Sequence, residues 1–453
     1  MKLRTLLGIA ALSLSLAALG CQKGDGGSAA PSKLEFAFPS LECDHLRPLP
    51  GLTIKTELTD GQRKALRWSS NRPDVIAVDE RTGELTMHKR DGTIGTSVII
   101  TARTGDLTGQ CYLHITSYLP RLDASIADFM ERADVVGMSV AIVYKERLVY
   151  RRAYGHIDEA RSVPARTDHM FRIASMSKPV TVIALLRLVE QGKLDIDRRV
   201  FGPGGVLGND FGPVPAGSGK ELITVRHLIE HTSGWAGDMA YTGYNDYPDA
   251  DALVRAGLAG YDLYFTPGER YMYSNFGYAV LGRVVEKLSG QRYCDFVREQ
   301  IIEPCGIGRM KLAKGPKADR DPDESDYFAD NEQADMVHPA ISRYFDSFGG
   351  WITTPTDYAR FVVHTDRAGK VPDILPAEIL NLTYFGGNWN HTGMLPGTAT
   401  CVKRLTDDLT MIYMANTWRF FNDAFGEMYD CVSKPIIGQA AWPAFDLFEE
   451  ADQ

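Results

Sequence analysis

The chain has 453 residues, of which 44% are apolar, so it is long enough for two folded domains and apolar enough to bury a large core. Lys and Arg total 49 against 58 Asp and Glu, which gives a formal net charge of -9. The acidic balance and the lack of a basic tract exclude a nucleic-acid-binding protein, and the apolar content excludes a disordered chain.

The first 33 residues are typical of an export signal followed by a tether. Two basic residues precede an apolar run that is shorter than a membrane-spanning helix requires. The sequence "ALGC" resembles a bacterial lipobox, in which the cysteine is lipidated after cleavage, although Ala18 stands where that motif more often has Leu. We predict a signal peptide at 1–20 and a lipidated Cys21 with a flexible tether at 21–33; a plain signal peptide is the alternative. By the same resemblance, Gln22 favours the outer membrane.

Six cysteines remain after Cys21, and an even count in an exported protein predicts disulfides. Their grouping along the chain favours neighbours as partners. The predicted pairs are Cys43 with Cys111, Cys294 with Cys305, and Cys401 with Cys431. No C-x-x-C occurs, which argues against a zinc or redox site built on cysteine.

Residues 34–117 carry short β-rich runs, such as "VIAVD", "GELTM" and "SVIITA", separated by turn clusters near Pro73 and Gly83. This pattern predicts an all-β domain with Trp68 as its core aromatic. The region resembles the bacterial immunoglobulin-like domains of surface proteins, which implies a small β-sandwich. We interpret it as a spacer; a carbohydrate-binding or surface adhesin module is the alternative.

From residue 118 the pattern becomes mixed. "RLDASIADFMERAD" has apolar residues at helical spacing, and "GMSVAIVYKERLVYRRAYG" predicts two antiparallel strands joined by a turn near Lys145. Strands return in "GTATCVKRLTDDLTMIYMANT", so one sheet draws strands from both ends of an α+β domain at 118–445, followed by a tail at 446–453. The Pro/Gly-rich run 202–219 and the charged run 314–332 are predicted loops that border a cleft.

A serine and a lysine begin the apolar helical run "FRIASMSKPVTVIALLRLVE". At a spacing of three, Ser175 and Lys178 fall on one helix face within reach of each other. A serine hydroxyl is a weak nucleophile until a base takes its proton, and lysine serves as that base when burial or nearby positive charge lowers its pKa. The Ser175 amide also lies at a helix N-terminus, which favours a developing oxyanion. Taken alone, the pair also fits an ordinary helix start.

Two further motifs bear on that choice. "TPGERYMYSNFGYAVLG" contains Y-x-N before another apolar helix: the phenol of Tyr273 can exchange a proton with a lysine, and Asn275 can hydrogen-bond a substrate amide. "GGNWNHTGMLPGTATCVKRL" contains His391-Thr392-Gly393 before a strand. The glycine allows a substrate to approach the strand backbone closely, and the His-Thr pair can bind a carboxylate or carbonyl oxygen. Each motif alone also fits a structural role.

Together and in this order, the three motifs resemble the serine hydrolases of the β-lactamase and penicillin-binding-protein superfamily, in particular the class C-like branch of esterases, D-aminopeptidases and DD-carboxypeptidases. "VRHLIEHTSGW" and "FDSFGGWITTPTDYARFV" resemble supporting segments of that branch. The resemblance implies an antiparallel sheet flanked by helices and no metal or organic cofactor. It also implies the nucleophile at Ser175, its base network at Lys178 and Tyr273, a substrate contact at Asn275, a site lined by His391, Thr392 and Gly393, and oxyanion-hole amides at Ser175 and Met394.

His391 departs from the superfamily pattern, because true β-lactamases have lysine there. Lysine supplies a fixed positive charge for the carboxylate of a β-lactam or a D-Ala-D-Ala terminus, whereas histidine is mostly neutral near pH 7. We therefore expect hydrolysis of small esters or D-amino-acid amides ahead of β-lactamase or DD-carboxypeptidase activity. A catalytically silent cell-wall-binding protein is the alternative of another class. The expected partners are a small ester, amide or peptidoglycan-derived substrate and a membrane reached through the lipid anchor, with the protein as a monomer.

A competing motif overlaps one supporting segment. The run from His227 to His231 fits H-x-x-E-H, a zinc motif with two ligands one turn apart on a helix. A zinc site would require a third carboxylate downstream and a coincidental serine motif, so we expect no metal here. No G-x-S-x-G is present, which excludes the nucleophile elbow of an α/β-hydrolase.

Overall fold

The computed structural model describes most of the chain after the predicted tether. The described residues are 31–44, 49–88, 93–235, 247–329, 340–383, 389–418 and 424–449. The predictions on residues 1–30, including lipidation of Cys21, lie outside them. Among the described residues, no helix combines the length and the apolar character that crossing a membrane requires.

The described residues before 118 form a mostly β structure. Its elements are β1 (Ser40–Cys43), α1 (Asp60–Lys64), β2 (Arg67–Ser70), β3 (Ile76–Val78), β4 (Leu85–Met87), β5 (Ser97–Thr104) and β6 (Leu107–Ile115). Four strands form a sheet in the order β1-β6-β5-β2, and β3 pairs with β4. The buried Trp68 packs edge-on against Phe36 in a separate hydrophobic cluster that ends at Ile115. The core aromatic was thus predicted correctly, and the immunoglobulin-like identity stays a prediction.

The predicted disulfides are absent, because the six cysteines of the described chain all carry free thiols. Strand register explains why Cys43 and Cys111 do not pair. Strand β1 runs parallel to β6 and places Cys43 beside Ile115, four residues beyond Cys111. At about 3.3 Å per residue this offset is about 13 Å, twice the Cα separation that a disulfide allows. The Cys111 thiol instead donates to the Phe38 carbonyl at 3.3 Å.

The other two predicted pairs are also wrong. Cys294 and Cys305 are separated by the helical segments Tyr293–Val297 and Arg298–Ile302, whose rise places the two Cα atoms more than about 10 Å apart. Cys401 lies on a strand opposite Tyr413, while the Cys431 thiol donates to a carbonyl of its own helix. Burial raises the pKa of Cys305, Cys401 and Cys431 to about 12, so these thiols pack as small apolar side chains.

The described residues from 118 onward form an α+β domain, as predicted. Its strands are β7 (Gly137–Tyr144), β8 (Arg147–Gly155), β9 (Phe171–Arg172), β10 (Met310–Leu312), β11 (Trp351–Thr353), β12 (Asn390–Leu395), β13 (Thr398–Arg404) and β14 (Leu409–Ala415). Its helices are α2 (Pro120–Arg132), α3 (Ser177–Glu190), α4 (Val225–Ile229), α5 (Ala250–Gly260), α6 (Asn275–Ser289), α7 (Tyr293–Val297), α8 (Pro355–Val363), α9 (Ala377–Leu380) and α10 (Ala424–Ile436).

The main sheet of the described domain is antiparallel, with the order β12-β13-β14-β7-β8. The predicted turn between β7 and β8 is present, and both Lys145 and Glu146 have positive φ, which matches the twist of a tight hairpin. Strands from both ends of the domain meet because β14 pairs with β7. A small sheet of β10, β11 and β9 leads into the segment that carries Ser175.

Helical layers cover both faces of the main sheet. Along β7, Val140 and Ile142 pack with α2 and α10, whereas Ala141 and Val143 pack with the layer that contains α3 and α6. This alternation follows from side chains pointing to opposite faces of a strand. Helix α3 is buried over most of its surface, so its first turn lies deep in the larger layer. The fold therefore places the Ser175–Lys178 motif at the edge of a large apolar core.

Candidate active site

Ser175 lies in a single 3-10 turn, Ala174–Met176, between β9 and α3. Ala174 has φ of 48°, a left-handed conformation that costs a residue with a Cβ about 1–3 kcal/mol. Two hydrogen bonds hold the turn: the Ile173 amide donates to the Trp351 carbonyl at 3.0 Å, and the Tyr358 hydroxyl donates to the Met176 carbonyl at 2.9 Å. The half-buried Ser175 is thereby fixed at the entrance to α3.

Lys178 is fully buried beneath Ser175. Its Nζ lies 3.1 Å from Ser175 Oγ, 2.7 Å from Asn275 Oδ1 and 2.9 Å from the Phe348 carbonyl oxygen. Burial disfavours the charged form of an amine. A neutral amine has two N–H groups and one lone pair, and the two carbonyl oxygens accept both N–H groups. In that neutral form the lone pair can accept the proton of the Ser175 hydroxyl, so the three short contacts are compatible with Lys178 acting as a base.

Tyr273 contacts the same hydroxyl from another segment, since its Oη donates to Ser175 Oγ at 2.7 Å. The Lys178 Nζ lies 4.8 Å from the centroid of the Tyr273 ring. The next residue, Ser274, caps α6 by accepting the Gly277 amide at 3.1 Å, and Asn275 is the first residue of that helix. The helix start therefore brings the phenol and the Asn275 amide to the serine together.

The third predicted segment lies on the edge strand β12, against the 3-10 turn Ala174–Met176, which we call the Ser175 turn. A Cβ added to Gly393 would lie 2.2 Å from the Ile173 carbonyl oxygen and 2.4 Å from Thr400 Oγ1. The glycine is thus required for close approach by the protein's own turn, whereas the sequence argument assigned that approach to substrate. Met394 is 43% exposed beside it. His391 and Thr392 are half-buried on the same strand.

His391 is neutral near pH 7. Burial is the main cause that lowers the pKa of His391 to about 4, and the neighbouring Lys178 amine lowers the pKa further whenever that amine is protonated. Its Nδ1 lies 2.9 Å from the Thr392 carbonyl oxygen, so this nitrogen is the one that carries the proton. The site therefore has no fixed positive charge at this position.

The zinc interpretation of H-x-x-E-H is wrong on geometry. Helix α4 ends at Ile229, and His231 follows it with φ of 57°, so the two histidines are not one helical turn apart. His227 Nδ1 accepts the Thr224 amide at 3.3 Å. His231 Nδ1 accepts the Ser274 amide at 3.0 Å. Within the described residues, no group of three or more His, Cys, Asp or Glu is placed to hold a metal ion.

Three contacts of the site escaped the residue-by-residue argument from sequence. They are the Phe348 carbonyl on Lys178, the Tyr278 ring near Lys178 and the His231 ring near Tyr273. Two of them lie in the supporting segments "FGGW" and "HTSG", which were noted only for their resemblance. A backbone carbonyl has no signature in sequence, because every residue has one.

An antiparallel sheet between helical layers, with Ser, Lys and Tyr from two helix starts meeting at one hydroxyl, defines the β-lactamase/transpeptidase-like fold class. The family model described as Beta-lactamase matches residues 122–427, more than half of the chain. The chain therefore belongs to the Beta-lactamase family.

Individual relatives carry different names. A penicillin-binding protein of Bacillus subtilis (strain 168) is 30% identical over 312 residues, which are 59% of this chain and 65% of that protein. Esterase EstB of Burkholderia gladioli is 33% identical over 211 residues, 43% of this chain and 52% of the esterase. The chain thus spans between half and two thirds of the length of these two proteins.

The structural comparison supports the same fold. The D-amino acid amidase from Ochrobactrum anthropi SV3, complexed with L-phenylalanine amide, superposes with a TM-score of 0.58. The superposition covers 71% of this chain and 99% of the amidase at 20% sequence identity, a level that shows the fold alone.

Proposed function

We propose that the protein is a serine hydrolase that forms an acyl-enzyme at Ser175 and acts on small esters or D-amino-acid amides. One observation carries the proposal: the Ser175 hydroxyl oxygen lies 2.7 Å from Tyr273 Oη and 3.1 Å from Lys178 Nζ. A hydroxyl with two groups able to exchange its proton is an activated nucleophile.

In the proposed acylation step, Ser175 Oγ bonds to the substrate carbonyl carbon as its proton passes to the neutral Lys178 amine. The oxyanion is stabilised by the amides of Ser175 and Met394. Tyr273 then delivers a proton to the leaving alcohol or amine, and Lys178 restores the proton of the phenol. Water reverses the sequence in deacylation, with the same pair taking its proton and returning one to Ser175. Asn275 and the Phe348 carbonyl keep the Lys178 lone pair on Ser175.

The proposed substrate class follows from His391. A neutral imidazole attracts the carboxylate of a β-lactam or a peptidoglycan stem less than a fixed cation does. The names esterase and D-amino acid amidase among the similar proteins support esters and amides, in which the carboxylate of the parent acid is absent. The penicillin-binding relative supports a second candidate, β-lactamase or DD-carboxypeptidase activity.

The proposed setting is the cell envelope. We propose export by the 1–20 signal, a lipid anchor at Cys21 in the outer membrane, and an immunoglobulin-like spacer that holds the hydrolase away from the membrane. The basis is the sequence of the first 33 residues and the separate hydrophobic cluster before Ile115.

Covalent labelling tests the proposed function. A fluorophosphonate probe is expected to label the wild type, with the adduct mapped to Ser175 by mass spectrometry, and to leave Ser175→Ala unlabelled. Ser177→Ala is the matched control: this serine lies two residues away, is fully buried, and accepts a hydrogen bond from the Trp351 amide. A folded wild type that resists labelling would favour the silent cell-wall-binding alternative.

A further inference from the structure

His231 ends helix α4 in a conformation that directs it into the active-site wall. Its φ of 57° is left-handed, and its side chain is 1% exposed. A residue with a Cβ occupies this region at an energetic cost, so the surrounding structure must hold it there. The contacts of His231 show which arrangement of the active site depends on this strained conformation.

The residues on both sides of Tyr273 are hydrogen-bonded to His231. The Met272 amide donates to the His231 carbonyl oxygen at 2.7 Å, and the Ser274 amide donates to His231 Nδ1 at 3.0 Å. The backbone therefore cannot rotate at Tyr273 without breaking one of these bonds. The second bond also fixes Ser274, the N-cap of α6, whose next residue contacts Lys178.

The imidazole ring supports the phenol as well. The ring centroids of His231 and Tyr273 lie 4.5 Å apart with an interplanar angle of 32°. The centroid of the Tyr278 ring lies 5.0 Å from that of His231, also with an interplanar angle of 32°. The His231 ring thus contacts two tyrosine rings, one of which carries the hydroxyl that donates to Ser175.

The hydrogen bond to Ser274 requires a neutral imidazole, because Nδ1 must accept. Burial, then the nearby Lys178 and His391, lower the pKa of His231 to about 2, so Nδ1 remains an acceptor at working pH. The proton then resides on Nε2, which is buried and has no hydrogen-bond acceptor in the described part of the chain. A buried N–H group without an acceptor is energetically unfavourable. We therefore expect the other ring nitrogen, Nδ1, to have a role that offsets this cost.

We propose that His231 is a positioning residue that fixes Tyr273 on Ser175 through its carbonyl oxygen, its Nδ1 and its ring. The proposal rests on the serine-hydrolase function proposed above. In this proposal the "HTSG" segment, which begins at His231, orients the "YSN" segment, which begins at Tyr273, for proton exchange with Ser175.

The test is the rate of Ser175 labelling by a fluorophosphonate, measured with thermal unfolding for each variant. His231→Leu is expected to label about 100-fold more slowly, the loss that a misplacement of about 1 Å causes. His231→Asn is expected to recover about tenfold of this loss, because its Oδ1 stands the same number of bonds from Cα as Nδ1 and can accept the Ser274 amide. His227→Leu, which removes the other histidine of the motif, is the matched control and is expected to label near the wild-type rate.

A double-mutant cycle distinguishes positioning of Tyr273 from general support of the fold. Because His231 acts mainly through Tyr273, adding His231→Leu to Tyr273→Phe is expected to slow labelling by much less than the 100-fold that His231→Leu causes alone. Losses that multiply in the double variant, or a folded His231→Leu that labels near the wild-type rate, would overturn the proposal. If His231→Leu does not fold, His231→Gln replaces it, and equal rates for the Asn and Gln variants would overturn it. Failure of the wild type to label would instead refute the proposed function.

Discussion

At the residue scale, the side chains that meet at Ser175 were predictable, and the groups that surround them were not. Ser175, Lys178 and Tyr273 each belong to a motif in which residue type and spacing specify a chemical task, and the structure brings the three together. The substrate contact of Asn275 stays a prediction, and the structure adds a contact that was not predicted, because its Oδ1 accepts a hydrogen bond from Lys178. Which groups surround an amine depends on tertiary packing, which local spacing does not specify.

His391→Lys is expected to change substrate preference. A lysine would add a fixed cation near Lys178 and attract a substrate carboxylate, and a hydrogen bond to a charged group is worth about 1.5 kcal/mol or more, which is about tenfold. The kcat/KM for nitrocefin should therefore rise about tenfold relative to that for a short-chain p-nitrophenyl ester.

The same comparison in the wild type ranks the substrates. Esters are expected to turn over fastest in a panel that also contains nitrocefin and D-alanyl amides. Wild-type hydrolysis of nitrocefin that exceeds ester hydrolysis, or an unchanged ratio in His391→Lys, would contradict the role given to the neutral imidazole.

At the element scale, local pattern gave the hairpin and the strands but not their contacts across the fold. The turn at Lys145 was predictable because a β-rich run breaks at a short polar turn. The disulfides were predicted wrongly because order along the chain carries no information on register, and register places Cys43 beside Ile115. Likewise, the contact of β12 with the Ser175 turn could not be predicted from local pattern, because it depends on how the sheet packs against that turn.

Gly393→Ala is expected to displace the Ser175 turn. The added Cβ would meet the Ile173 carbonyl at 2.2 Å, so either β12 or the turn must move. Overpacking of this kind costs about 1–3 kcal/mol of stability, and a shift of about 1 Å at Ser175 reduces the labelling rate about 100-fold. Gly260→Ala, where an added Cβ meets no atom within 4 Å, is the matched control. Equal labelling of the two variants would show that the turn tolerates the displacement.

At the scale of the whole molecule, the length and composition of the chain predicted two folded parts. The described residues before 118 and those from 118 onward have separate hydrophobic clusters. One cluster ends at Ile115, and the clusters of the α+β part begin at Tyr118. The family match starts at residue 122. What sequence could not establish is the function of the first part, because its β pattern reports burial and pairing but contains no chemical motif.

A chain that starts at residue 118 is expected to keep the wild-type rate of Ser175 labelling. Each part has hydrophobic residues that pack among themselves, so removing the first should leave the core around α3 intact. The measurement compares labelling rate and thermal unfolding of the truncated and longer chains. Loss of labelling, or loss of cooperative unfolding, would assign the first part a structural role in the site.

The pairing of β7 with β14 has a consequence for how the chain acquires its structure. Ile142 lies opposite Met411, so the central pair of the sheet joins residues separated by most of the domain. Such high contact order slows folding, because a long loop must close before the contacts that repay it can form. During synthesis, the β7–β8 hairpin cannot pair with β14 until that strand leaves the ribosome, late in translation. Such a delay is compatible with the export proposed above, because an incompletely folded chain can still pass through a translocation channel.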